Sequence, residues 1–362
     1  MSRLKLVHIV GARPQFIKSS AVSRVIKNNE KFSNIDERYI HTGQHYDKNM
    51  SGNFFEELEI PEPNYNLGVG SETHGKQTAL MLERIEKVLI KEKPDWVLIY
   101  GDTNSTLAAA VAAAKLHLRV GHIEAGLRNN NRKMPEEINR IVADKVSDVL
   151  FAPTENAMNN LMREGLGERL VLVGDVMYDS LLFYKDLADQ RISKKFKSRF
   201  SGFYLATIHR AENTDDLQRL QSIFTALSML DAPVVIPLHP RTQKIISRID
   251  YNHNVKIIEP ASYLEIIYLL KTCKKVLTDS GGLQKEAFIL NKPCITLMEE
   301  TAWVETLENN WNFTVGANTD EILKKIRCNT FGEKGNHFGD GHSCEKIIEF
   351  ILDFNSDESE NF

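Results

Sequence analysis

The chain alternates short, almost unbroken apolar runs with segments of helical character, and the pattern occurs in two series. "LKLVHIVG", "ERYIHTG", "DWVLIYGD", "RVGHIEAG", "VLFAPT" and "LVLVGD" form the first. "FYLATIHR", "VVIPLHP", "VKIIEP", "KVLTDSGG" and "PCITL" form the second. Strands apolar on both faces must be covered on both faces, and strands joined through helices run parallel. The expected fold class is therefore α/β, with two doubly wound parallel-sheet domains. Helices are expected from about Gln15 to Lys27, over 73–93, at "STLAAAVAAAKLHL", at "PEEINRIVADKVSD" and from about Asp215 to Met229. The segment 178–200 is lysine-rich and helical without a clear apolar stripe, and it reads as a boundary region. The domains expected are 1–177, 178–345, and a C-terminal helix with an acidic tail over 346–362 that packs back on the first. A length of 362 residues suits two domains.

Charge narrows the class of partner. The formal net charge is −4, which argues against a broad basic field for nucleic acid but not against a local anion site. No apolar run approaches the roughly 20 residues that span a bilayer. The opening "MSRLKLVHIVGARPQ" reads as a first strand rather than a signal peptide. Cys273, Cys294, Cys328 and Cys344 show no metal-ligand spacing. They are expected to be free thiols of a cytoplasmic protein without structural zinc.

In parallel sheets, ligands lie beyond the carboxyl ends of the strands, and with two such domains the default site is the cleft between them. The polar residues fall at those ends. Arg13 follows the first strand, Asp102 follows "WVLIYG" and Glu124 ends "RVGHIE". His209 and Arg210 end "FYLATIHR", His239 and Arg241 follow "VVIPL", and Asp279 to Gly282 end "KVLT".

"DSGGLQKEAF" is the sharpest motif. Ser280, Gly281 and Gly282 form a tight turn into a helix, whose N–H groups and dipole suit a diphosphate. Glu286, one turn in, can accept from two vicinal hydroxyls such as those of a ribose. A plain glycine turn with Glu286 on the helix surface is the alternative. In "GARPQFIK", Pro14 suits the first helical position and Arg13 can fork onto phosphate oxygens, while Lys18 faces either a cleft or water. In "GDTNST", Asp102, Thr103 or Ser105 could equally be a helix cap. Pro135, Glu136 and Glu137 also fit a well-started helix. Glu124 is harder to treat as decoration. It ends an apolar strand, Arg128 follows four residues on, and a carboxylate there must face a cleft or be paired. With His209 at the mouth of the second domain, the set suits proton transfer at carbon.

Taken together, "GARPQFIK", "HTGQHYDKNM", "GDTNSTLAAA", "HIEAGLR", "MPEEINR", "FAPTE", "HRAEN", "HPRT", "TDSGGLQKEAF" and "FGDGHSCEKI" cover nearly the whole chain in order. The set resembles the non-hydrolysing UDP-N-acetylglucosamine 2-epimerase family. The resemblance implies a glycosyltransferase-B-like fold of two Rossmann-like domains, a homodimer, and no metal, nicotinamide or other cofactor. It implies an isomerase that inverts C2 of a UDP-sugar through anti elimination and re-addition of UDP. Carried over by position, Asp102, Glu124 and Glu136 are its catalytic carboxylates and His209 its histidine, while Glu137 stays a helix-start acid. Arg13 and Lys18 are its phosphate- and substrate-side cations. Ser280, Gly281, Gly282 and Glu286 form its UDP site, and Arg210, His239, Arg241 and Tyr263 join that set.

The chain departs from the common family pattern at Ala12 and Gln15, at Met298, and at Trp303–Val304, where Arg-Pro is usual. "GARPQFIK", "GDVMYDS" and "WVET" look like the branch acting on UDP-2,3-diacetamido-2,3-dideoxy-glucuronate, which serves bacterial O-antigen synthesis. The parent UDP-GlcNAc remains open as substrate. Gln44, His45, Lys76 and Gln77 lie where some family members bind an activating UDP-GlcNAc, or are simply polar loop and helix-face residues. The rival readings are a UDP-sugar glycosyltransferase of the same fold, a hydrolysing 2-epimerase and a non-enzymatic nucleotide-sugar sensor.

Overall fold

The computed structural model describes residues 3–44, 55–196 and 199–359. The chain divides into two compact units, Met1–Leu182 with Asn336–Phe362, and Phe183–Gly335. The break falls five residues beyond the expected 177, inside the helix Val176–Phe196, which contains neither glycine nor proline to mark it. The return to the first unit falls at Asn336, ahead of the expected 346. Residues before the last helix are already bound there: Asp175 N–H donates to the Phe338 carbonyl at 3.0 Å.

The first unit holds β1 (Leu4–Val10), β2 (Ile35–His41), β3 (Tyr65–Asn66), β4 (Trp96–Tyr100), β5 (Arg119–Ile123), β6 (Val149–Ala152) and β7 (Leu170–Leu172). They form one parallel sheet in the order β3-β2-β1-β4-β5-β6-β7. Its helices are α1 (Arg13–Asn28), α2 (His74–Glu92), α3 (Asn104–Lys115), α4 (Pro135–Val146), α5 (Glu155–Arg163) and the start of α6 (Val176–Phe196). All of β4 is buried, as a central strand covered on both faces requires. The alanines of α3 explain its place: Ala108, Ala109, Ala110, Ala112 and Ala113 are wholly buried, and short side chains let the helix lie close to its neighbours.

The second unit holds β8 (Tyr204–Thr207), β9 (Val234–Pro237), β10 (Val255–Ile258), β11 (Val276–Thr278), β12 (Cys294–Thr296) and β13 (Asn312–Thr314). They form a parallel sheet in the order β10-β9-β8-β11-β12-β13. Its helices are α7 (Ala211–Thr214), α8 (Leu217–Ser228), α9 (Pro240–Gln243), α10 (Tyr263–Thr272), α11 (Gly281–Ile289) and α12 (Thr319–Ile326). The edge strands β3 and β13 had no counterpart in the sequence reading. They are two and three residues long, too short to show an apolar run.

Both units are doubly wound, and each strand order reverses at one point: between β1 and β4, and between β8 and β11. Adjacent loops there leave in opposite directions and open a crevice at the carboxyl ends.

The last helix, α13 (Ser343–Ser359), returns to the first unit. Phe350 meets Phe151 edge-on at 5.7 Å, and Phe354 meets Trp96 at 5.4 Å. Its start is held by Asp179 of α6, which accepts from Cys344 N–H at 2.7 Å. Among the described residues no helix is long and apolar enough to cross a membrane. The four cysteines are free thiols, and Cys273, Cys294 and Cys344 are buried.

Candidate active site

The first group of site residues is built at the switch point of the first unit. Ala12, the N-cap of α1, has no side-chain acceptor, and Gln15 supplies what it lacks. Its Oε1 accepts from the N–H groups of Gly11 and Ala12 at 2.8 and 3.0 Å. Its Nε2 donates to the Tyr100 carbonyl at 2.7 Å and to Thr106 Oγ1 at 2.9 Å. One amide therefore joins the end of β1 to the end of β4, with every hydrogen-bonding direction used. Gly11 is needed for the close approach, because a Cβ there would lie 2.0 Å from Ser105 Oγ. Arg13 is half-buried in the first turn of α1.

Lys18 does not face water. It is 6% exposed and forms an ion pair with Glu124, itself 8% exposed. Arg128, the cation nearest to Glu124 in sequence, goes elsewhere: it forks onto Glu164 at 2.7 and 2.8 Å and reaches Asp144 at 2.7 Å. Glu124 has a left-handed backbone with φ +70°, as does Gly101 with φ +61°. For a residue with a Cβ that conformation costs roughly 1–2 kcal/mol, and such outliers gather at functional sites. A Cβ on Gly101 would lie 3.0 Å from Glu124 Oε2 and 3.3 Å from Lys18 Nζ, so the turn before Asp102 runs directly beside the ion pair.

Asp102 is not the cap of α3. Thr103 is, with its side chain accepting from Thr106 N–H. The Asp102 carboxylate is free of that duty and is gripped by Arg140, whose Nε and Nη2 reach Oδ2 at 3.1 and 2.6 Å. Burial works against the Arg140 charge, but Asp102 and Glu137 outweigh it and raise its pKa.

Glu137 stands in the first turn of α4, as expected of a helix-start acid, but it is also buried and paired. It is 1% exposed, bonds Arg140 at 2.6 Å, and accepts from the N–H groups of Asn129 and Asn130 at 3.2 and 2.9 Å. Glu136 is half-buried in the first turn of α4 and has no hydrogen bond or ion pair among the described residues. The structure thus joins Lys18 to Glu124 and Asp102 to Arg140 and Glu137. No bond ties Glu136 to either set.

Gln44 and Gln77 are both engaged around the start of α3. Gln44 Oε1 accepts from Ser105 N–H and Oγ at 3.2 and 2.7 Å. Gln77 Oε1 accepts from Asn104 Nδ2 at 2.8 Å, while its Nε2 donates to the Gly70 carbonyl at 3.0 Å. Lys76 is exposed and pairs with Glu72 at 2.8 Å. His45 lies outside the described residues.

The second group stands at the switch point of the second unit, and the buried carboxylate of Asp279 organises it. Asp279 accepts from His209 N–H at 3.0 Å, Arg210 N–H at 2.9 Å and Asn213 Nδ2 at 3.1 Å. His209 Nδ1 lies 3.2 Å from the same carboxylate, which leaves Nε2 as the ring nitrogen that Asp279 does not engage. Burial opposes the Asp279 charge, but His209 and the other donors overcome it and lower its pKa. The sequence places Asp279 among the polar residues at the carboxyl end of a strand but does not show what it binds. Its partners, in the turn after β8 and in α7, lie 66–70 residues earlier, and only the strand order brings them together.

The "SGG" turn opens α11 as expected. Ser280 is its N-cap, with Gly281 and Gly282 in the first turn. Glu286 is not a surface residue. It is 5% exposed and accepts from Tyr263 Oη at 2.9 Å. His239 is the exposed cap of α9, its Nδ1 accepting from Arg241 N–H at 3.1 Å, and its ring lies 5.2 Å from that of His209. Arg241 forks onto Asp215 at 2.8 and 2.7 Å. Arg210 is half-buried as the N-cap of α7. Trp303 stands against Gly281, with the Lys285 ammonium over its ring at 3.9 Å.

Two Rossmann-like units with acids at one set of strand ends and a diphosphate-type helix start at the other can be compared with known proteins. The chain matches the UDP-N-acetylglucosamine 2-epimerase family model over residues 27–352. It belongs to that family. A UDP-2,3-diacetamido-2,3-dideoxy-D-glucuronate 2-epimerase of Pseudomonas aeruginosa is 50% identical over 357 residues, covering 96% of this chain and 99% of the relative. A UDP-N-acetylglucosamine 2-epimerase homolog of Methanococcus maripaludis is 49% identical over 365 residues, with the same two coverages. The crystal structure of the Methanocaldococcus jannaschii UDP-GlcNAc 2-epimerase, in complex with UDP-GlcNAc and UDP, superposes with a TM-score of 0.89 at 44% identity, covering 96% and 99% of the two chains. The chain is thus a UDP-sugar 2-epimerase, an isomerase with a glycosyltransferase-B-like fold.

Proposed function

We propose that this epimerase inverts C2 of a UDP-linked 2-acetamido sugar with no net hydrolysis. A carboxylate removes the C2 proton as the C1–oxygen bond to UDP breaks on the opposite face. This leaves an enzyme-held glycal and free UDP. A proton then returns to the other face of C2 while UDP re-adds at C1, so atoms and charge balance across the cycle. Asp102, Glu124 and Glu136 supply the proton acceptor and donor, with Lys18 setting the charge on Glu124. His209 exchanges a proton through Nε2. The start of α11 takes the diphosphate, with Arg210, His239 and Arg241 as the polar groups of the same unit, and Arg13 is the phosphate-side cation of the first unit. Glu286, oriented by Tyr263, takes the ribose.

The buried Lys18–Glu124 pair beside the Gly101–Asp102 turn carries this reading. A transferase of the same fold has no need to bury a strained, paired carboxylate next to a second acid. We put UDP-2,3-diacetamido-2,3-dideoxy-glucuronate first as substrate, because "GARPQFIK", "GDVMYDS" and "WVET" accompany the 50% identity to an epimerase of that name. UDP-GlcNAc is the second reading, favoured by the superposition on an enzyme solved with that sugar. The reading includes a cytoplasmic homodimer that feeds surface polysaccharide synthesis. The test is proton NMR in deuterated water with each nucleotide sugar in turn. Deuterium entering C2 as a manno-type UDP-sugar appears supports the reading, and the active tube names the sugar. Accumulation of free UDP and free sugar would overturn it in favour of hydrolysis.

A further inference from the structure

His122 on β5 has no exposed surface and no part in the chemistry proposed so far. Its Nδ1 lies 2.7 Å from Asp144 Oδ1, and its Nε2 lies 2.8 Å from the carbonyl oxygen of Gly101. A carbonyl has no proton to give. Asp144 has the surroundings of a carboxylate quite apart from His122: its Oδ2 lies 2.7 Å from Arg128 Nη2 and accepts from Gly126 N–H at 3.2 Å. Both partners therefore accept. A neutral imidazole carries a single N–H and could satisfy only one of them, leaving a buried lone pair against a buried oxygen. Charge also balances, since His122 and Arg128 face Asp144 and Glu164.

The Gly101 carbonyl belongs to the turn that carries Asp102 past Glu124 and Lys18. The rest of that turn is fixed from outside. Gly101 N–H donates to the Ile123 carbonyl at 3.0 Å, and Asn139 Nδ2 donates to the Asp102 carbonyl at 2.9 Å. Arg140 grips the Asp102 side chain. His122 supplies the remaining tether, and Asp144, which also accepts from Gly126 N–H at 3.2 Å, anchors it.

We propose that His122 is a buried imidazolium that acts as a positioning residue for the epimerase, donating from both ring nitrogens to hold the Gly101–Asp102 turn at its distance from Glu124. The inference rests on the reading of Asp102 and Glu124 as the proton-exchanging pair. Misplacing a reacting group by about 1 Å costs about 10²-fold in rate, and that is the loss expected when the tether is cut.

The experiment is 15N NMR of histidine-labelled native enzyme at neutral pH, with the His122 signals assigned by their absence in His122→Gln. The expected spectrum shows protons on both ring nitrogens, and a single-tautomer neutral ring would overturn the proposal. Glutamine can offer a donor to one partner but only an oxygen to the other. Folded His122→Gln should therefore lose roughly 10²-fold in kcat with UDP affinity unchanged. Full kcat in the folded variant, with only a lowered Tm, would overturn the positioning role. If that variant does not fold, folded Asp144→Asn takes its place: the histidine signals it shifts identify His122, its kcat should fall roughly 10²-fold, and full kcat would overturn the positioning role. Glu124→Gln is assayed alongside. Full turnover there would overturn the acid–base reading itself, whereas an inactive Glu124→Gln beside a fully active His122→Gln would remove this role alone.

Discussion

Glu124 shows how much a single residue is asked to hold: a left-handed backbone, a buried charge and a lysine partner. Glu124→Gln removes the carboxylate to which we assign proton exchange while keeping the shape. It should cut turnover by about 10²–10⁴-fold with UDP affinity retained, read by steady-state kinetics and calorimetry. Gly101→Ala would force a Cβ to within 3.0 Å of the Glu124 carboxylate in a left-handed conformation. It should cost roughly 1–2 kcal/mol in denaturant unfolding, together with a loss of activity. Glu286→Ala should weaken UDP binding, and unchanged affinity in calorimetry would remove the ribose role. Asp102, Glu124 and His209 were legible as candidates in the sequence because each stands at the end of an apolar run, while Glu136, in a helix start, was named only through the family resemblance. The roles of Asp279, Glu137, His122 and Asp144 were not legible. Their meaning depends on partners that only strand order and helix packing supply, such as Asp279 for His209 and Asp144 for His122. Glu137 looked like an ordinary first-turn acid because nothing near it in sequence says that Arg140 turns inward to meet it.

At the scale of elements, apolar runs revealed the central strands, while β3 and β13 went unseen because two or three edge residues carry no period. The join of α6 to α13 was equally hidden. Asp179 caps the start of α13 across a separation of 165 residues. Burial is the largest influence on this carboxyl and raises its pKa, against the lowering effect of the Cys344 and Ser343 donors. A carboxyl with a folded pKa above its unfolded value binds more protons folded than unfolded between the two. Stability therefore rises as pH falls through that window and drops as pH climbs out of it. Asp179→Asn has no such dependence. The native chain should gain on the variant as pH is lowered from neutral toward the unfolded carboxylate value, about 3.9, read as the difference in urea midpoints at each pH. A difference that stays flat would show that the Asp179 charge carries no penalty in the fold.

For the molecule as a whole, the two-sheet architecture was readable because the strand pattern restarts, whereas the unit boundary was misplaced because it falls within a continuous helix. Among the described residues no three His, Cys, Asp or Glu side chains converge as a metal ion would need. The proposed proton transfer between carboxylates needs no metal ion, so turnover should survive prolonged EDTA treatment, and a loss restored by a divalent cation would mean that the acids are ligands rather than proton carriers. The return of Asn336–Phe362 to the unit begun by Met1–Leu182 also dictates an order of manufacture. The first unit lacks α13 until synthesis has passed through the whole of Phe183–Gly335, so the rings of Trp96 and Phe151 wait for Phe354 and Phe350. The unit begun first is therefore completed last, and its unfilled face stays uncovered for as long as the second unit takes to be made.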